Sequence, residues 1–367
     1  MAKYSESNCV SHGHADVDEF VAQHLMNAQR VLFIGTVGIE QSSLHFANEL
    51  RAAKHVEFRF LIERRTDSDA VLAALGQRHR KWLEDNLPTG TCHFAEVEII
   101  APDGATVAGR KAVDAAKSWY AEPYTDIVID SSGMSRGVCF PLLRQAMLMG
   151  EKWGANVHLL MASNDRRSVA LVGQPNDRAD WMHGFRENMG LDGTEATLTL
   201  WMPQLSRDSL SQMKIMYAHL QQSGQLAEVC PIVPFPATDP RLGDELLFEH
   251  RDAFQGNVGS ASLSVIYAHE SDPMDVFRSV VRIESVRREL FAAMGTMAVS
   301  VLSPSGWRLG SLGMVLAAMT MNLPLLYVET IGYTTDSPLP PDAVVPTADM
   351  RWHIWIAGTP YAVLPDK

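Results

Sequence analysis

Short apolar runs closed by glycine or a polar turn alternate with stretches of helical periodicity along the first half of the chain. Residues 31–35 (VLFIG) form such a run, the pattern of a strand covered on both faces. Residues 41–53 follow, with Leu44, Ala47 and Leu50 on one helical face. The same reading predicts strands over 56–62 and 93–100, and helices over 69–83 and 107–120. It adds a strand over 126–130 (DIVID), a helix over 137–153 and a strand over 157–161. Alternation of this kind implies a parallel sheet joined by right-handed crossovers.

Residues 163–193 are charged and turn-rich, with helical character only near 181–188, and read as a connector. The alternation then restarts. Strands are expected over 196–201, 227–233, 263–268, 297–302 and 324–328, and helices over 209–222, 243–254, 272–294 and 309–321. Ser271 or Asp272 supplies a cap for the long helix. A proline-rich stretch (337–346) precedes a β-like segment, 351–357. The expected fold class is α/β: two consecutive Rossmann-like units, each a mainly parallel sheet flanked by helices, plus a C-terminal β-like tail. The corresponding divisions are 1–165, a connector 166–195, 196–334, and a tail 335–367.

Composition narrows what such a chain can do. Its 367 residues, 46% hydrophobic and 20% charged, suffice for two cores. A net charge of -12 argues against direct DNA binding over the whole surface but leaves room for a local basic pocket. Cys9, Cys92, Cys139 and Cys230 show neither CxxC spacing nor a disulfide framework. There is no secretory leader pattern and no apolar stretch long enough to span a membrane, so a cytoplasmic location is expected.

In an open parallel sheet, ligands bind beyond the carboxyl ends of the strands. That points to the loops after the first and fourth strands of each half. The first-half loops carry Gly35 and Thr36, and then Asp130, Ser131, Ser132, Gly133, Ser135 and Arg136. The second-half counterpart carries Ser303, Ser305, Gly306, Arg308 and Ser311. Ser132-Gly133 with Gly137 matches Ser305-Gly306 with Gly310 at identical spacing. Glycine admits a close ligand, helix-start amides favour an anion, and hydroxyls and guanidinium suit phosphate oxygens. Gly and Ser in such places also serve as ordinary caps and turns; the repetition of the loop raises the functional reading. His269 and Glu270 follow a strand on the same edge and could line a pocket or supply an acid or base.

Several chemistries are not supported. GTVG after the first strand is not GxGxxG, and Glu63 near the end of the second strand is followed by Arg64 and Arg65, so a dinucleotide fingerprint is incomplete. There is no Walker motif and no GxSxG elbow. His12 and His14 with Cys9 read as an incidental cluster, so neither metal nor cofactor is expected. His45, His158 and His183 read as structural, and the Met147, Met149, Met314, Met319 and Met321 stretches as core.

The segment 299–330, with its SPSGWRLG loop, an apolar helix and a strand ending in YV, resembles the late strand–loop–helix–strand of CRISPR-associated Rossmann fold (CARF) domains. The segment 126–161, with SSGMSRG, resembles the same unit. Where that family often carries Thr-Gly-Gly-Thr-Lys, Arg136 and Arg308 would stand in for the lysine. CARF domains, and the SAVED domains that resemble two fused CARF units, sense cyclic oligonucleotides in prokaryotic antiviral defence. The resemblance implies a sensor or regulatory subunit in which Arg136 and Arg308 meet phosphates. Gly35-Thr36 and the His269-Glu270 region would line base or ribose. A separate effector protein would be the partner, and a homo-oligomer is compatible. Two alternatives are a metal-independent phosphodiesterase using Ser132 or Ser305 with His269, and a non-catalytic scaffold whose apolar tail docks a partner.

Overall fold

The computed structural model describes residues 10–164, 168–186, 197–207, 209–222, 226–254, 264–295, 297–341 and 343–361. The chain divides into two compact units, Met1–Gln174 with Thr330–Lys367, and Pro175–Glu329.

The first unit is organised by a strand buried at every position. It follows β1 (Ser11–Gly13) in the chain, and this second strand, β2 (Val31–Thr36), shows no alternation because both its faces are covered. It pairs in parallel with β3 (Val56–Arg64) on one side and β6 (Asp126–Asp130) on the other. Beyond β3 lies β5 (Cys92–Glu98), and beyond β6 lies β7 (Asn156–Ser163), again parallel. In order of appearance, these five strands stand third-second-first-fourth-fifth, a doubly wound arrangement that reverses between β2 and β6. A separate small sheet joins β4 (Asp67–Ser68), β16 (Thr330–Thr334) and β8 (Val172–Pro175).

The helices of this unit are α1 (Ala15–Gln23), α2 (His45–Leu50), α3 (Ala70–Asn86), α4 (Ala108–Lys117) and α5 (Arg136–Trp153). Their ends follow from the sequence. Asp69 caps α3 by accepting from Val71 N at 2.8 Å and Leu72 N at 3.2 Å. Gly154, at φ 67°, stops α5 in the left-handed conformation. The core holds Phe33, Phe58 and Phe60 of the sheet with Leu44, Phe46 and Leu50 of the first crossover, all fully buried.

Two elements depart from the sequence reading. The segment expected to be a separate tail supplies β17 (Met350–Ala357), which pairs antiparallel with β7 and carries β1 on its far side. Its Ile354 and Ile356 are buried in this unit rather than offered to a partner. The helix expected near 181–188 is absent over its described part, where Trp181 ends the short strand β9 (Asp180–Trp181) and turns follow. Residues 187 and 188 lie outside the described residues.

The second unit repeats the plan. Its central strand β10 (Thr197–Pro203) is parallel to β14 (Met297–Ser303) and to β11 (Leu226–Val229). Past Pro231, which cannot donate to a ladder, the β11 line resumes as β12 (Ile232–Pro234). That strand bridges to β10 at Gln204 and Ile232 and runs parallel to β13 (Ile266–Ala268). On the other flank, β15 (Leu326–Tyr327) follows β14 through a Leu302–Leu325 bridge, and β9 closes the edge antiparallel. The order is again third-second-first-fourth-fifth. The helices are α6 (Leu210–Gln222), α7 (Leu242–Phe254), α8 (Pro273–Ala293) and α9 (Arg308–Met321), around a core of Trp201, Met213, Met216, Leu220 and Phe254. The fold is thus α/β with two Rossmann-like units. Among the described residues no helix is long and apolar enough to cross a membrane.

Because β17 covers the edge of β7, ending the chain before Met350 should abolish cooperative unfolding of the first unit. Ile354→Ala alone should cost about 2–5 kcal/mol by cavity formation. Urea titrations followed by circular dichroism measure both, and a truncated chain melting like the full one would contradict the assignment.

Candidate functional site

The crevice rule places the site of the first unit where β2 and β6 send their loops to opposite faces of the sheet. The two loops touch through glycine. A Cβ added to Gly133 would stand 2.8 Å from Thr36 Cγ2 and 3.1 Å from Gly38 Cα, and one added to Gly38 would stand 2.7 Å from Ser43. Only hydrogen fits at either place. His79, buried, holds the same loop by donating Nδ1–H to the Gly38 carbonyl at 2.7 Å; burial lowers its pKa, so it stays neutral.

Most of the serine loop faces inward. Ser131 donates both its amide and its hydroxyl to the Leu160 carbonyl, at 2.8 and 2.9 Å. Ser132 donates its amide to Asp130 Oδ1 at 3.0 Å and its hydroxyl to the same oxygen. Ser132 Oγ also accepts from Ala162 N at 2.8 Å. Asp130 therefore folds the loop onto the sheet. Gly35 packs its bare Cα against Phe60, where a Cβ would come within 2.9 Å, and Thr36 donates its hydroxyl to the Leu61 carbonyl at 2.8 Å. Of the predicted ligand residues, Gly35, Thr36, Asp130, Ser131 and Ser132 build the loops rather than line the crevice.

What remains at the helix start is more suggestive. Ser135 is the residue before α5, and its buried Oγ has no hydrogen-bond partner. Arg136, half-buried, is the first helical residue. The Ser135 amide donates to Glu63 Oε1 at 2.8 Å, while Arg65 donates to Glu63 Oε2 at 2.7 Å. A carboxylate thus occupies the positive end of α5, where the helix dipole favours it. Glu40 adds a second acceptor: its Oε2 takes the Ser168 amide and hydroxyl, and its Oε1 is buried without a partner. Sequence reasoning set Glu63 aside because two arginines follow it. Its place at the end of the second strand was the signal that could have found it.

In the second unit a glutamine does the work that glycine contact does in the first. Gln204, fully buried after β10, accepts from Gly306 N at 3.2 Å and Ser311 Oγ at 2.8 Å, and donates to the Trp307 carbonyl at 3.0 Å. Ser303 Oγ accepts from Trp201 Nε1 at 2.8 Å. Ser305 Oγ and Trp307 Nε1 are buried without partners, and Arg308, exposed, is the first residue of α9. Both helices therefore begin on an arginine, although Ser-Gly spacing sets those arginines one residue out of step.

His269 and Glu270 stand elsewhere. His269 accepts from Ser271 N through Nδ1 at 3.0 Å, its own amide donates to Asp275, and Glu270 accepts from Thr238 N at 2.7 Å. These bonds shape the turn into α8. Since β12 and β10 separate β13 from β14, roughly 14 Å of sheet lies between His269 and the Ser305 loop. Cys9 lies outside the described residues.

No protein-family model and no curated protein matches the chain. Among solved structures it is similar to the cytoplasmic domain of a prokaryotic cation chloride cotransporter, at 8% identity over 83% of this chain and 96% of that one, with a TM-score of 0.25. It is also similar to a universal stress protein from Archaeoglobus fulgidus DSM 4304, at 11% identity over 82% and 96%, with a TM-score of 0.23. A putative UDP-N-acetylglucosamine 2-epimerase from Listeria monocytogenes gives 11% identity over 75% and 74%, with a TM-score of 0.24. Scores of this size say nothing of function, and the class rests on the strand order described above.

Gly133→Ala should destabilise the first unit by about 1–3 kcal/mol, because the methyl meets backbone on the facing loop. Ser132→Ala should cost a similar amount by leaving the Ala162 amide unpaired. Urea midpoints at constant slope measure both; a Gly133→Ala protein of unchanged stability would show that the loops do not meet in solution.

Proposed function

We propose that the chain binds a small phosphate-bearing nucleotide, as the CARF and SAVED proteins its loops resemble do, and passes the bound state to a separate effector protein. The observation that carries this reading is the mixed lining at the start of α5. Ser135 Oγ and Arg136 offer donors suited to phosphate oxygens, whereas Glu63, which accepts the Ser135 amide, offers an acceptor suited to ribose hydroxyls or base amines, and Glu40, after β2, offers another. A bare anion would need no carboxylates; a nucleotide uses both edges. The repeat of an arginine-led helix start beside a buried, unpartnered serine hydroxyl in the second unit supports the same reading. The net charge of -12 fits selection of a small ligand over a long polyanion.

Binding is favoured over cleavage by what surrounds the two serines. Ser132 Oγ is committed to Asp130 and to the Ala162 amide, and no imidazole is among those partners. His269, the acid or base of the phosphodiesterase alternative, holds its own turn three strands from Ser305. The cyclic oligonucleotide and the defence setting follow from the loop resemblance alone and belong to this proposal.

Calorimetry against a panel of cyclic and linear oligonucleotides should give saturable heat with at least one member. Arg136→Ala and Arg308→Ala should each weaken that binding by about 1–3 kcal/mol. Chromatography after incubation should return the ligand intact. No heat with any nucleotide sinks the proposal, and linear product from a cyclic ligand would favour the phosphodiesterase.

A further inference from the structure

The opposite edge of the first sheet, away from the serine loop, holds a cluster that the proposed function does not use. Asp126 opens β6 and is buried, with Oδ1 taking three nitrogens: His24 Nε2 at 2.9 Å, His158 Nε2 at 3.1 Å and Asn156 Nδ2 at 2.9 Å. Behind His158 the imidazoles continue, with His158 Nδ1 3.0 Å from His353 Nε2 and His353 Nδ1 2.8 Å from His12 Nδ1. His158 and His353 are fully buried, while the His24 side chain is 32% exposed. The three ligand-type atoms of His24, Asp126 and His158 all lie within 4.8 Å of one another.

We infer that His24 Nε2, His158 Nε2 and Asp126 Oδ1 form a binding site for a divalent transition ion of the zinc, cobalt or nickel type. Two imidazoles and one carboxylate are the donor set such ions select, whereas magnesium and calcium prefer oxygen throughout. The partly exposed His24 leaves a side open for a water as fourth ligand. Among the described residues, the ion-pair partners of Asp126 are histidines alone.

The row of histidines also suits the second shell. A ligating imidazole needs its other nitrogen to donate outward. With an ion bound, His158 Nδ1–H donates to His353 Nε2 and His353 Nδ1–H donates to His12 Nδ1, leaving the His12 proton on Nε2. Without the ion each bond in the row reverses: His12 Nδ1–H donates to His353 Nδ1, His353 Nε2–H to His158 Nδ1, and His158 Nε2–H to Asp126 Oδ1.

Tag-free protein, stripped with chelator and titrated with cobalt(II), should develop visible d–d absorption that saturates at about one ion per chain, and zinc should displace it. The ion should also raise the melting temperature, since it binds the folded state. His24→Ala, whose side chain is partly exposed, should weaken cobalt binding at least tenfold, read by titration at a temperature where both metal-free proteins are folded. Asp126→Asn provides a second test, and His93→Ala, exposed on β5, should change nothing. Absence of absorption and of a thermal shift overturns the inference. Binding undiminished in His24→Ala does so equally, because the ion would then sit elsewhere.

Discussion

The contact between bare backbones at Gly38 and Gly133 decides what the first unit can do with its switch point. Loops leaving neighbouring strands toward opposite faces ordinarily open a crevice. Here the two chains close its floor, and a single methyl on either side has no room. Asp130 and Ser132 then tie the second loop to β7, with Ser132 Oγ reaching the Ala162 amide. The floor is closely packed, and the proposed recognition rests on Ser135, Arg136, Glu40 and Glu63.

The second unit solves the same problem with different chemistry. Gln204 fills the space between the first-strand loop and the start of α9, satisfying one amide, one hydroxyl and one carbonyl at once. A Cβ on Gly306 or Gly310 would run into that side chain at 2.4 or 2.2 Å. Glycines at matching spacing thus serve matching purposes: they let a neighbour come close. In one unit the neighbours are Thr36, Ser43 and the backbone of Gly38, and in the other chiefly an amide side chain. This is why the Ser-Gly spacing repeats while the residues around it do not.

The architecture was legible because its signals are local. A strand buried on both faces reads as an apolar run, and 31–35 is one, while 126–130 keeps an apolar centre between two aspartates. Position on the sheet edge was legible as well, so the loops were found. Their inward or outward aspect was not, since Ser132 and Ser135 differ only in which partner lies across the fold. β17 escaped assignment to the first sheet because its partner β7 is far away in sequence, and short β1 offers too few residues to show alternation. Glu63 was visible but misjudged, since its charge appeared cancelled by Arg64 and Arg65. In the fold Arg65 instead orients the carboxylate toward the Ser135 amide.

The histidine cluster illustrates the same limit in a sharper form. His24, His158, His353 and His12 come from separate parts of the chain; His158 read as structural and His12 as one of an incidental cluster. Asp126, four residues before Asp130 on one strand, sits at the other end of β6. One strand therefore carries two buried carboxylates with different fates. Asp130 accepts the Ser132 amide and hydroxyl at the end where loops must be shaped. Asp126 takes His24, His158 and Asn156 through a single oxygen at the end where the histidine row begins. That difference in donors is why the two ends of β6 carry two separate proposals, an ion at Asp126 and a nucleotide beside the loop that Asp130 shapes.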